Sequence, residues 1–133
     1  MAIRLAFFTL LVAALPALYF GVRVSASIRR RGLVGAAKEP ALSQGVTTLL
    51  FFTGEYCTTC KYRQKPAIET LRRDIEGLRV LEIGAAREDG LARRFKVLSL
   101  PTTVLLAADG RVGAVNYGFA PMEQLQAQLA GLA

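Results

Sequence analysis

The chain of 133 residues has room for one compact core of roughly 100 residues beside an N-terminal apolar segment. Two cysteines are too few for a disulfide-stapled scaffold, and with no histidine one chain cannot build a four-ligand Cys/His zinc site or a Ser-His or Cys-His catalytic pair. The net charge of +7 is uneven: residues 1–38 hold Arg4, Arg23, Arg29, Arg30, Arg31 and Lys38 and no acid, which leaves the rest near neutral at +1 and argues against a nucleic-acid partner.

Residues 5–22 form an uncharged run of 18 residues, which predicts a transmembrane helix and makes residues 1–24 a membrane anchor. Membrane helices tolerate a proline such as Pro16, and Tyr19 and Phe20 fall where an interfacial aromatic belt is expected. The competing reading is a cleaved signal peptide with a site near Val24-Ser25-Ala26. The length of the run and the basic flank of Arg23 and Arg29-Arg30-Arg31 speak against it. The same flank predicts a single-pass protein with its soluble domain on the cytoplasmic side, an extracytoplasmic domain being the alternative.

Residues 25–45 read as a basic connector, with one short helical turn over 38–44. Val46 to Phe52 is a β-rich apolar run between glycines, suited to a strand buried on both faces. Directly after it, Thr53-Gly-Glu-Tyr-Cys-Thr-Thr-Cys-Lys61 holds both cysteines and opens a helix over 57–75, with Ala67, Ile68, Leu71 and Ile75 on one face and a kink at Pro66. Cys57 and Cys60 at a helix start are set for redox chemistry, since the orphan N–H groups there favour the anionic form of the first thiol. Lys61, Arg63 and Lys65 would add to that preference, or read more simply as a solvated helix face.

A second strand is predicted over 78–83, a short amphipathic helix over 88–95, and a third strand over 102–107 opened by Leu100-Pro101. Asp109-Gly110 predicts a hairpin into a fourth strand over 111–116, and Pro121 to Leu132 a final amphipathic helix. The fold class is therefore α/β, a small mixed sheet with helices on both faces whose parallel part carries the motif, in a domain spanning 46–133.

These residues resemble the thioredoxin family: an apolar strand, an aromatic residue and Cys-x-x-Cys opening a proline-kinked helix, then Leu-Pro-Thr-Thr, an Asp-Gly hairpin and a terminal helix. Pro101 follows Cys60 by 41 residues, as in that family. The resemblance implies a three-layer thioredoxin-like fold and a thiol–disulfide oxidoreductase needing no cofactor beyond the Cys57–Cys60 pair, with Cys57 as nucleophile and Cys60 as resolving thiol. It implies a cis Pro101 against the cysteines, and a substrate groove formed with Tyr56, Leu100 and Gly118, although Gly118 also reads as a plain turn glycine. Partners would be a protein disulfide or dithiol substrate and an unidentified electron donor or acceptor. Tyr56 replaces the family's usual Trp, and Thr58-Thr59 replaces Gly-Pro, so the redox potential does not carry over. Phe51 takes the position of a buried Asp and Glu82 that of its Lys partner. Glu82 then reads as a buried carboxyl that accepts the proton of Cys60, or as a residue on a solvated edge or beside an arginine. A reductant is the expected direction; the alternatives are a copper or zinc module using the cysteine pair and an outward-facing dithiol oxidant.

Overall fold

The computed structural model describes residues 1–33, 38–87 and 90–132. Helix α1 (Ala2–Leu33) contains the whole uncharged run and Pro16. Its apolar side chains at Leu10, Leu15, Leu18, Phe20 and Val22 are exposed. The expected transmembrane segment is helical, but among the described residues no helix is long and apolar enough to cross a membrane.

The domain is a four-stranded sheet in the order β2-β1-β3-β4. Strand β1 (Thr48–Thr53) pairs parallel with β2 (Arg79–Gly84) and antiparallel with β3 (Thr102–Leu106), which pairs antiparallel with β4 (Val112–Tyr117). The alternation of β1 divides the core. Leu49 and Phe51 face a cluster with Ile68 and Leu71 of α3 (Lys65–Asp74) and Leu125 and Leu129 of α5 (Met122–Ala130). Leu50 and Phe52 face the other side, with Phe95, Val104 and Val115. That side is covered by α4 (Leu91–Arg94) and the single turn α2 (Pro40–Ser43). The expected mixed sheet between helical layers is thus observed.

Element boundaries differ from the expectation by one or two residues at most strands. The helix predicted over 88–95 is seen as the single turn α4 because Gly90 is left-handed at φ 74° just before it; Glu88 and Asp89 lie outside the described residues. Residues 34–37 of the expected connector likewise lie outside them. The later part of that connector is fastened to the domain. Lys38 bridges Arg111, the Glu39 N–H donates to the Gly110 carbonyl at 2.8 Å, and the buried Ser43 hydroxyl donates to Ala108 O at 3.0 Å. Arg94 also pairs with Glu39.

The Asp109-Gly110 turn serves two purposes. Gly110 has φ 85°, a conformation that suits a residue without a Cβ. A Cβ there would also lie 2.5 Å from the Pro40 nitrogen, so only glycine lets the connector approach this closely.

Candidate functional site

Three chain segments meet at one end of the sheet, and the strand register shows why. Phe52 pairs with Thr102, and Thr102 with Tyr117, so the residues after β1, before β3 and after β4 share that end. They carry Cys57, Leu100-Pro101 and Gly118, respectively.

Cys57 and Cys60 are joined in a disulfide. The helix begins at Thr58, just beyond Cys57, so the first cysteine sits at the helix entrance and the second within its first turn. Cys57 is partly exposed, whereas Cys60 is 1% exposed and belongs to the core cluster with Phe51 and Leu71. The Cys60 N–H donates to Cys57 Sγ at 3.2 Å. This is one of the orphan donors of a helix start, and it favours negative charge on that sulfur when the pair is reduced.

The expected kink takes the form of a π-turn over Cys60–Gln64, with the Lys65 N–H bonded to the Cys60 carbonyl five residues back. Pro66 explains it: its ring crowds the carbonyl four residues before and supplies no N–H, and a widened turn relieves both. The widened turn also places Gln64 inside the protein. Its Oε1 accepts the Ala120 N–H at 2.9 Å and its Nε2 donates to the Ala120 carbonyl at 3.0 Å.

The Leu100–Pro101 bond is cis and Pro101 is buried. Leu100 packs, as Cys57 does, against the cluster that holds Cys60, and a Cβ on Gly54 would lie 2.8 Å from the Leu100 Cδ1. The Gly118 N–H donates to the Pro101 carbonyl at 2.8 Å, while Gly118 itself has φ 89° with open space where a Cβ would point. Tyr56 is 91% exposed and projects beside Cys57 in sequence without packing into the core.

Beneath the helix start lies a cleft of about 350 Å³ lined by residues including Phe51, Cys57, Cys60, Lys65 and Glu82. Here the expectation of a buried Glu82 is corrected. Its side chain is 48% exposed and pairs at 3.2 Å with Lys65, itself 46% exposed. Glu82 does lie opposite Phe51, but β2 is the edge of the sheet, and among the described residues no further strand covers it. Of the three basic residues expected on a solvated face, Lys65 therefore has a carboxylate partner, and Arg63 lies 4.2 Å from the Phe119 ring centroid. Among the described residues no group of three or more His, Cys, Asp or Glu side chains is placed to hold a metal ion.

Sequence reasoning passed over Gln64 as a site residue and did not pair Lys65 with Glu82. Gln64 carried one usable signal, since it lies four residues after Cys60 and so on the same helix face.

The thioredoxin family model matches residues 33–131. Among solved structures, a mutant thioredoxin from Halobacterium salinarum is 26% identical with a TM-score of 0.60, over 68% of this chain and 77% of that one. Thioredoxin-2 of a malaria parasite, described as a component of its protein secretion machinery, is 25% identical with a TM-score of 0.59, over 65% and 82%. StoA from Bacillus subtilis, 17% identical with a TM-score of 0.53 over 64% and 83%, shares the fold. No curated protein matches the chain. A cysteine pair joined at a helix entrance, on a sheet of this order and within a match covering most of the sequence, leads to one conclusion: the chain belongs to the thioredoxin family and is a thiol–disulfide oxidoreductase.

Proposed function

We propose that the chain is a membrane-associated reductant of protein disulfides whose domain faces the cytoplasm. The observation that carries the exchange chemistry is the asymmetry of the pair, with Cys57 partly exposed under the Cys60 N–H and Cys60 buried behind it. The reduced Cys57 thiolate attacks one sulfur of a substrate disulfide, forming a mixed disulfide and releasing the other sulfur as a thiolate. Cys60 then gives up its proton and attacks Cys57 Sγ, which closes the Cys57–Cys60 disulfide and frees the reduced substrate. Glu82, half-exposed and paired with Lys65, leaves that proton to solvent reaching the cleft. Two electrons pass to the substrate, and a dithiol donor returns them.

Membrane association is supported by residues 5–22, which carry no charge and lie in one helix, and by the exposure of Leu10, Leu15, Leu18, Phe20 and Val22. Apolar side chains left exposed along one helix favour a covering medium, which a lipid surface would supply. The cytoplasmic side is supported by Arg23 and Arg29-Arg30-Arg31 after the run. A reducing compartment in turn favours disulfide reduction as the working direction.

The test is the redox midpoint of the full chain, equilibrated with glutathione or dithiothreitol and read by counting free thiols. A value near or below about −250 mV, with reduction of insulin disulfides, is the expected result. A value near about −120 mV would make the pair an oxidant and overturn both direction and placement.

A further inference from the structure

We propose that Gln64 is a positioning residue that holds the segment 118–120 at the distance from the cysteine helix that a polypeptide substrate requires. The proposal rests on the exchange reading above and adds a determinant of substrate binding to it. Because Cys60 is buried, a disulfide can reach only Cys57, and its flanking chain must lie across the sheet end shared by residues 54–57, 100–101 and 118–120. The segment 118–120 is thus one wall of any such complex.

That wall has no regular structure of its own; among the described residues Ala120 packs in the core cluster, and three further contacts hold the segment. The Gly118 N–H is bonded to the Pro101 carbonyl, the Phe119 ring lies under the Arg63 guanidinium, and both backbone polar groups of Ala120 are taken by the Gln64 carboxamide. The first contact ties the wall to β3. The other two tie it to the π-turn that begins at Cys60.

Of the two partners that act through a side chain, Gln64 is fully buried and Arg63 exposed, and the two Gln64 bonds reproduce the pairing of one strand residue with another. A carboxamide is the group that offers one acceptor and one donor side by side, which is what Ala120 N–H and O demand together. Buried without partners, both Ala120 groups would be strongly disfavoured, so the segment must move if the carboxamide is lost. The turn geometry that Pro66 enforces, the burial of Gln64 and the seat of Ala120 are therefore one device.

The test uses the full chain with two variants. Gln64→Met keeps length and removes both bonds; it is expected to raise KM for insulin about tenfold, the order expected for losing buried hydrogen bonds, and to change reduction of Cys57–Cys60 by dithiothreitol less than about twofold. The Ala120 N–H is expected to exchange with deuterium at least about tenfold faster. Gln64→Glu keeps the acceptor and loses the donor while ionised. Its KM relative to wild type at each pH is expected to fall as pH drops from about 8 to about 5, because the protonated carboxyl again donates to Ala120 O. An unchanged KM for insulin, or an equal loss toward insulin and dithiothreitol in both variants, overturns the positioning role. A wild-type chain that exchanges with neither substrate overturns the exchange reading instead, and Ala120 deuterium exchange then still reports whether the clamp exists.

Discussion

Reducing the Cys57–Cys60 bond should lower the stability of the folded chain by about 2 kcal/mol. The disulfide closes a loop of four residues, since its sequence separation is 3. The chain-entropy relation for so short a loop gives about 6 cal/mol/K, or about 2 kcal/mol at 25 °C. The opposing term is the Cys60 N–H, which lies 3.2 Å from Cys57 Sγ and becomes a charge-assisted hydrogen bond when that sulfur is a thiolate. Such a bond contributes about 1.5–3 kcal/mol, but only in the ionised fraction. At pH 5, below the ordinary thiol range, the entropy term should dominate and the reduced form should melt roughly 10 °C lower. The assay is thermal or urea unfolding of the full chain with and without dithiothreitol. A reduced form as stable as the oxidised one would refute this reasoning. It would mean that the helix entrance holds the reduced pair strongly, which is the signature of an oxidant.

Three further outcomes follow from the same geometry. Cys60→Ser should trap a mixed disulfide with a substrate through Cys57, visible as a shifted band on non-reducing gels, whereas Cys57→Ser should trap none because Cys60 is buried. Glu82→Gln should change the rate of mixed-disulfide resolution by less than about fivefold, since an ion pair this exposed contributes about 0.2–1 kcal/mol; a loss of a hundredfold in stopped-flow kinetics would reinstate Glu82 as the proton acceptor. Gly110→Ala should destabilise the domain by about 1–3 kcal/mol in urea unfolding, because the new methyl meets Pro40 and the residue keeps a left-handed φ; an unchanged midpoint would show that the connector is not clasped there.

The features legible from sequence were those set by local pattern. The unbroken apolar run before Cys57 marks β1, the Asp109-Gly110 pair marks the hairpin, and the spacing of Ile68 and Leu71 marks the buried face of α3. The cis Leu100–Pro101 bond followed from the family resemblance and not from the residues alone. What escaped depends on the third dimension. Glu82 sits in the expected register with Phe51, yet whether it is buried depends on how many strands lie outside β2, which no local pattern encodes. Gln64 is polar, and its burial makes sense only once its partner is known to be a backbone 56 residues further on. The π-turn was hidden because Pro66 announces only that the regular ladder is broken, and a bent helix and a widened turn both answer that signal.

The clasp at Pro40 has a consequence for reach. It grips the β3–β4 turn, and that turn lies at the end of the sheet where Thr48 pairs with Leu106, opposite the end that carries Cys57. The six residues of β1 separate the two ends by about 20 Å. The chain arriving from α1 is therefore tethered at the rear of the domain, and the sulfur that meets a substrate is at its front. The sheet acts as a spacer arm that sets the redox pair at the end away from the clasp.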